Sequence, residues 1–312
     1  YFKYRGFFVE TLSDVLGWVG AGPLGIQLVQ VAMPAGLSFW TFQKLGYILD
    51  VYRGKTERIE SAVDFALYVA LFVQLIAGPI ERAARLMPQI QGPRRLQAED
   101  LRYGGWLILT GLFKKLVVAD SLAPFVAELF RMPAPQSGDA AAAAFLFALL
   151  IYTDFAGYTD LARGAGRLLG FDLSRNFKAP YFSRNIQEFW TRWHITLSEW
   201  IKDYLYFPLL FTRPGRWLGM TGLPLFTMAI MGLWHGAAWT YVLWGAFHGC
   251  LLILWTAIKW PKKYKHLRKR VPRPLWIAFY LQLTIYAMMI FRAESVAQVG
   301  RFTWALLTGW TS

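Results

Sequence analysis

Long apolar runs separated by short polar stretches dominate the chain. A run of about 20 mostly apolar residues is long enough to cross a bilayer as a helix. The candidate runs are Leu24–Phe42, Ala66–Ile80, Tyr103–Phe113, Ala140–Tyr158, Trp217–Ile258 and Leu275–Phe291, and a further run begins at Phe302. Such a pattern predicts an all-α polytopic integral membrane protein.

The longest run, Trp217–Ile258, contains 42 residues without a single Asp, Glu, Lys or Arg. As one straight helix it would be roughly twice the hydrocarbon thickness of a bilayer. Arg213 and Arg216 precede it, and Lys259–Arg273 follows with eight Lys or Arg and no acid. Basic loops favour the cytoplasmic side. We therefore predict a helical hairpin whose turn lies near Gly232–Gly236, away from the cytoplasm.

Composition agrees with a membrane protein. Apolar residues make up 56% of the chain and charged residues 17%, against about 25% charged residues in soluble domains. The net charge of +14 lies in blocks between apolar runs, which argues against a nucleic-acid binder. The single cysteine, Cys250, excludes an internal disulfide. We expect residues 1–312 to form one domain that is a fragment of a longer protein, because the chain opens without an initiator Met and ends within an apolar pattern.

The segment Asn176–Pro208 is too polar to span a membrane. Asn185 followed by Glu188 predicts a helix start, and Pro208 marks the expected end. On this helix one face carries a single group that titrates near neutral pH, His194, among Trp190, Trp193, Leu197, Trp200, Ile201 and Tyr204. The opposite face carries Glu188, Arg192, Glu199, Lys202 and Asp203. The helix either lies at the headgroup level of the membrane or packs inside the protein and presents His194 to a polar cavity.

His235 lies near the predicted turn of the hairpin. Burial disfavours the charged imidazolium, and a neutral histidine can accept the proton of an attacking hydroxyl. His248 follows 13 residues later, about 220° around if both lie on one helix, so a paired metal site is unexpected. His266 falls in the basic loop. We predict no metal site and no bound cofactor.

Asp154 is the one carboxylate within the run Ala140–Tyr158. An acidic residue in a membrane segment is a functional-site hypothesis by default. The alternative is an ion pair with Arg163 or Arg167, which follow within a few helical turns. Gly245 and Gly249 have the small-xxx-small spacing that allows two membrane helices to approach closely, and we interpret them as packing residues.

Several segments together resemble a known family, the membrane-bound O-acyltransferases, in its bacterial branch. They are "MPAGLSFWTFQKLGYILDVYRG" (Met33–Gly54), "IAGPIERAARL" (Ile76–Leu86), "DFAGYTDLARGAGRLLGF" (Asp154–Phe171), "NFKAPYFSRNIQEFWTRWHITLSEWIKDYLYFPL" (Asn176–Leu209) and "LWHGAAWTYVLWGAFHG" (Leu233–Gly249). The resemblance covers nearly the whole chain, and the last two motifs, in this order, are specific.

The resemblance implies a helical bundle around a central cavity, with re-entrant or amphipathic segments. In this family the histidine matching His235 is catalytic, and in this branch the one matching His194 is also functionally important. Trp234, Trp193, Asp154 and Asp203 are predicted supporting residues.

The implied function is transfer of an acyl group, most simply acetyl, from a cytoplasmic thioester to hydroxyls of an exported polysaccharide. Acetyl-CoA or an acyl carrier protein is the expected donor, and a periplasmic acetyltransferase the expected partner. The expected location is the bacterial inner membrane. The alternatives are a transporter or channel, a non-catalytic scaffold for a periplasmic transferase, and export of D-alanyl groups to a wall polymer.

Overall fold

The computed structural model describes residues 4–20, 26, 36–75, 78–259 and 271–308. Every regular element among them is a helix. The α-helices are α1 (Arg5–Trp18), α2 (Leu37–Tyr52), α3 (Ala62–Ala70), α4 (Ala83–Gln91), α5 (Ala98–Leu112), α6 (Asp120–Arg131), α7 (Ser137–Leu168), α8 (Ile186–Trp190), α9 (Ile195–Ile201), α10 (Phe207–Leu210), α11 (Arg213–His235), α12 (Trp239–Lys259), α13 (Arg273–Arg292) and α14 (Val296–Thr308). Short 3-10 helices cover Phe72–Gln74 and Pro180–Phe182, and π-helices cover Phe113–Ala119 and Lys202–Tyr206.

Four of the described helices are long and apolar enough to cross a membrane. They are α7, α11, α13 and the Trp239–Ala257 portion of α12. The predictions of spans at Ala140–Tyr158 and Leu275–Phe291 and of an all-α membrane protein are confirmed. The long helix α7 lies at the centre, where it packs against α5, α6, α13 and α14.

The predicted pairing of two helices in a hairpin is also confirmed, whereas the side of the membrane on which its turn lies stays a prediction. Helices α11 and α12 pack against each other along their length, and the chain turns at residues 236–238. The prediction that Gly245 and Gly249 are packing residues is confirmed as well. A Cβ atom at Gly245 would overlap the carbonyl group of Met228, and one at Gly249 would lie 2.8 Å from the Cα atom of Leu225. Both glycines therefore allow the close approach of the two helices.

The predicted run Ala66–Ile80 is not one span. Helix α3 ends at Ala70, and Leu71 is non-helical before the short 3-10 helix. The side-chain amides of Gln43 and Gln74 each donate to the carbonyl oxygen of Tyr68 at 2.8 Å. These bonds replace the one that this carbonyl would have accepted from a continuing helix, so the break leaves it satisfied.

The run Tyr103–Phe113 is part of a longer helical stretch than its apolar residues indicate. Helix α5 continues through the π-helical turn into α6. Lys114 pairs with Asp160, and Lys115 lies 2.7 Å from Asp154. Both carboxylates belong to α7. They neutralise the two lysines that directly follow the apolar run, so the helix continues past them.

Two predictions fall largely outside the described residues. Most of the run Leu24–Phe42 does so, and its described end forms the start of α2. Most of the basic loop Lys259–Arg273, including His266, lies outside as well.

The polar segment after α7 is not the single helix that its pattern predicts. The Asn185 cap is confirmed, because its side chain accepts from the backbone nitrogen of Glu188 at 2.8 Å. The helix then breaks after α8, and His194 adopts a left-handed backbone conformation with φ 41° and ψ 55°. The helix end predicted at Pro208 is wrong, since α10 extends to Leu210.

Hydrogen bonds to a distant stretch of chain explain this break. The carbonyl oxygen of Asn176 accepts from the backbone nitrogen of Ile195 at 3.0 Å, and its side-chain oxygen accepts from that of Thr196 at 3.2 Å. The backbone nitrogen of Lys178 donates to the carbonyl of Arg192 at 2.8 Å. These backbone groups therefore pair across the fold rather than along one helix.

The predicted division into two faces survives the break. Its buried members are Trp193, His194, Leu197, Trp200, Ile201 and Tyr204. On the other face Glu199, Lys202 and Asp203 are exposed. The aromatic face thus lies inside the protein, where it joins the main hydrophobic core, and the interpretation as a helix at the headgroup level is wrong.

Candidate active site at the bend of the hairpin

His235 is the last residue of α11, directly before the turn of the hairpin. Its ring packs edge-to-face against Trp234, Trp244 and Phe291, with ring centroids 4.8, 5.2 and 5.2 Å away. Phe291 lies at the end of α13, so three helices converge on this imidazole. The aromatic rings restrict the orientation of the imidazole.

His194 lies at the start of α9 and is only 2% exposed. Its Nδ1 atom is 3.2 Å from the side-chain oxygen of Asn176. The same oxygen accepts from the backbone nitrogen of Thr196. A backbone N–H can only donate, so this contact identifies the acceptor oxygen of the amide. Nδ1 of His194 must therefore carry a proton, which leaves the lone pair of the neutral ring on Nε2.

The electrostatics of His194 favour the neutral ring. Burial lowers the pKa of His194 well below its usual range, and the nearby His235 lowers it further. The two predicted histidines are therefore close enough to interact electrostatically. A neutral imidazole with a fixed Nδ1 proton can accept a proton at Nε2 near pH 7.

An aromatic bridge connects the two histidines. Phe39 of α2 stacks on His194 with centroids 6.2 Å apart and meets Trp234 at 6.0 Å. Phe42, one helical turn later, stacks between Trp234 at 5.0 Å and Trp200 at 4.0 Å. Trp234 thus contacts His235 and both rings of α2, and the sequence did not indicate these α2 rings.

Trp193 is part of the core beneath the site. It contacts Phe177 at 5.1 Å and stacks on Phe189 at 5.6 Å, and Phe177 in turn contacts His194 at 6.5 Å. Its described ring contacts place it behind His194 rather than beside His235.

The two predicted carboxylates form ion pairs with basic side chains other than the two histidines. Asp154 pairs with Lys115 at 2.7 Å, so the predicted partners Arg163 and Arg167 are wrong. The reason is the position of α5 and its π-helical continuation beside α7, which brings the lysine closer than either arginine. Asp203 pairs with Arg82 at 3.1 Å.

The sequence did not identify Asn176, Trp244 or His248 as site residues. Asn176 gave no local signal, because its partners lie 18 and 20 residues later. The expectation that His235 and His248 point apart assumed one helix and is wrong. The turn places them on different helices, and both contact Trp244, at 5.2 and 4.9 Å. Placing His248 on the second helix of the predicted hairpin would have indicated that the two histidines lie on different helices.

A cavity of about 390 Å³ runs beside the hairpin. Met231, one helical turn before His235, lines it on α11, and Thr256, close to the end of α12, lines it on the other helix. Trp190 of α8 and Lys202 of the π-helix also contribute to its wall. The cavity therefore borders the middle of the hairpin, and neither His194 nor His235 is among the residues that line it.

The model of the membrane-bound O-acyltransferase family matches residues 57–291 of the chain. The chain belongs to this family. The match includes both histidines, the hairpin and the cavity, whereas Phe39 and Phe42 of α2 lie before it.

Relatives within the membrane-bound O-acyltransferase family carry descriptive names. The chain is 39% identical over 313 residues to a probable alginate O-acetylase AlgI of Azotobacter vinelandii, covering 100% of the chain and 61% of the relative. It is 32% identical over 324 residues to a peptidoglycan O-acetyltransferase of Helicobacter pylori (95% and 60% covered). It is 28% identical over 244 residues to a teichoic acid D-alanyltransferase of Bacillus subtilis (74% and 61% covered). The chain thus spans about three fifths of the length of these relatives.

Proposed function

We propose that the protein is an acyltransferase that carries an acetyl group from a cytoplasmic thioester to a hydroxyl of an exported polysaccharide. The observation that carries this proposal is the position of His235. It ends α11 one helical turn beyond Met231, which lines the cavity beside the hairpin. We place the thioester donor in that cavity, so its acyl carbon must pass beyond the cavity wall at Met231 to reach His235.

His235 acts as the general base. It accepts the proton of the attacking hydroxyl, whose oxygen forms a bond to the acyl carbon. The bond from that carbon to the thioester sulfur breaks, and the sulfur leaves as a thiol after it has taken up a proton. His194, neutral and with its lone pair on Nε2, assists by orienting the hydroxyl or accepting its proton.

The charge distribution supports a cytoplasmic donor. The hairpin ends opposite to His235 are flanked by Arg213, Arg216 and the eight basic residues of Lys259–Arg273. Positive residues favour the cytoplasmic side, and they attract the phosphates of coenzyme A or an acidic carrier protein. The membrane is then the bacterial inner membrane, with His235 in the half that faces the periplasm.

The names of the relatives support the proposed acceptor, a hydroxyl of an exported polysaccharide. They describe acyl transfer to alginate, peptidoglycan and teichoic acid, all of which are polymers outside the cytoplasm. The stronger matches are O-acetylases, so acetyl is the proposed group. A periplasmic acetyltransferase is the proposed partner that receives the group when the polymer does not reach His235 itself.

The test is polymer acetylation in cells that depend on this protein, with His235→Ala as the variant and Trp217→Phe as the control. Trp217 is exposed on α11. Acetylation should be lost in the first variant and kept in the second, with equal amounts of each protein in the membrane. A transporter or a non-catalytic scaffold would keep acetylation in His235→Ala, and that result would exclude the proposal.

A further inference from the structure

Three contacting rings, two on α12 of the hairpin and one on α8, contain four nitrogen atoms without a hydrogen-bond partner among the described residues. They are both ring nitrogens of His248 and the Nε1 atoms of Trp190 and Trp244. The centroid of His248 is 5.0 Å from that of Trp190 and 4.9 Å from that of Trp244, and the two indoles are 5.9 Å apart. We call these three residues the His248 cluster.

Packing alone does not account for a histidine at this position. His248 is 0% exposed and stacks on Phe189 with an interplanar angle of 9°, a contact that a phenylalanine would make equally well. Burying a polar group without a partner destabilises a fold. An ionisable side chain within a membrane helix therefore points to a functional role.

The His248 cluster lies between the cavity and His235. Trp190 lines the cavity and contacts His248, and Trp244 packs edge-to-face against His235. Trp190 is only half-buried, and it is the one member of the cluster that lines the cavity. A group bound beside His248 is then separated from His235 by the width of one indole ring.

The donor and acceptor atoms of the cluster define the chemistry of its ligand. Indole N–H groups only donate, whereas a neutral imidazole donates from one nitrogen and accepts at the other. A secondary amide complements this set, because its carbonyl oxygen accepts and its N–H donates. Coenzyme A and acyl carrier proteins share a pantetheine arm whose first amide lies two methylene groups from the thioester sulfur. Two methylene groups and the sulfur therefore separate this amide from the acyl carbon.

We propose that the His248 cluster binds the first amide of a pantetheine-type acyl thioester and so positions the thioester beside His235. This inference rests on the proposed function, and it adds the recognition of the donor arm. It applies equally to coenzyme A and to a carrier protein, because the arm is common to both.

The test compares two small acetyl donors of equal length with the full chain in proteoliposomes and an acceptor oligosaccharide. S-acetyl-N-acetylcysteamine carries the amide, and the acetyl thioester of pentanethiol replaces it with methylenes. Release of free thiol is followed with a thiol reagent. Cys250, the single cysteine, is replaced by serine in all variants so that the reagent reports only the released thiol.

Trp190→Phe is the main variant, because it removes one N–H and keeps an aromatic ring. His248→Phe is the second variant. In both, the preference for the amide donor, measured as the ratio of the two kcat/KM values, should fall about tenfold, the effect expected for one lost hydrogen bond. Trp276→Phe is the matched control. It also has a buried, unpartnered Nε1, but it lines a different cavity with Arg184 and Arg273, so its donor preference should equal that of the wild type.

An unchanged donor preference in Trp190→Phe, or an equal loss with both donors, would overturn the inference. If His248→Phe does not insert into the membrane, the donor preference of Trp190→Phe alone tests the inference. Failure of the proposed function is seen separately, because His235→Ala would then still release thiol from both donors.

Discussion

The side-chain oxygen of Asn176 lies 3.2 Å from Nδ1 of His194 and sets the tautomer of that ring. The asparagine is itself 1% exposed and is oriented by the backbone nitrogen of Thr196. One buried amide thus determines which nitrogen of the histidine can accept a proton.

The first prediction concerns Asn176→Asp. A carboxylate beside Nδ1 favours the imidazolium and raises the pKa of His194. In the wild type this pKa lies well below its usual range, so the ring stays neutral as the pH falls towards 6. The variant should lose the neutral ring at a higher pH, so the acidic limb of kcat/KM should move upward. The measurement is the pH profile of acyl transfer between pH 5 and 8.

Asn176→Ala is the control for this experiment. It removes the hydrogen bond without adding a charge, so it should lower the rate without moving the acidic limb upward. An acidic limb in Asn176→Asp that coincides with that of the wild type would show that His194 does not take part in proton transfer.

The second prediction separates the ring of His194 from its backbone conformation. A left-handed backbone is costly for most residues but is tolerated by asparagine. His194→Asn and His194→Ala should both lose acyl transfer by about 10²–10⁴-fold. The asparagine variant should be the more stable of the two by about 1 kcal/mol, measured by thermal unfolding in detergent. Wild-type activity in His194→Asn would show that the ring is dispensable.

The third prediction concerns the packing of the hairpin. Gly245→Ala places a Cβ atom against the carbonyl of Met228, and such overpacking typically costs about 1–3 kcal/mol. Gly105→Ala is the matched control, because a Cβ atom at Gly105 of α5 meets nothing within 4 Å. The control should be as stable as the wild type or more stable, since alanine favours a helix. Equal unfolding temperatures for the two variants would contradict the close approach of α11 and α12.

The fourth prediction concerns Asp154. Its side chain is 44% exposed, and its partner Lys115 also pairs with Asp120 at 2.8 Å. Exposed ion pairs contribute little stability, so Asp154→Asn should keep acyl transfer within about threefold of the wild type. Asp160 is 16% exposed and contacts Lys114 and Arg163. Asp160→Asn should therefore destabilise the protein more, by about 1–3 kcal/mol. A large loss of activity in folded Asp154→Asn would restore Asp154 as a functional residue.

Local patterns in the sequence were sufficient for much of the fold. The absence of charge over 42 residues with basic flanks predicted the hairpin, because both signals arise from the bilayer itself. The cap at Asn185 was predictable because its partner, Glu188, is three residues away. The buried aromatic face was also correct, since apolar spacing reports burial even where the helix is interrupted.

The features that local patterns did not predict depend on contacts between residues that are distant in the sequence. The break before α9 depends on Asn176, which lies 18 residues before His194 in the chain. Apolar periodicity carries no information about such a partner. The same limit applies to His248, whose position became visible only once the two helices were paired, and to Asp154, whose lysine lies on another helical stretch.

The most direct test of the central claim is acyl transfer across a membrane by the reconstituted protein. Proteoliposomes receive a labelled acetyl thioester on the side of the basic loop and the acceptor polysaccharide on the other side. The wild type should acetylate the polymer, and His235→Ala should do so at least about 10²-fold more slowly while inserted to the same extent. Acetylation by His235→Ala at the wild-type rate would contradict the assignment of His235 as the base and with it the proposed function.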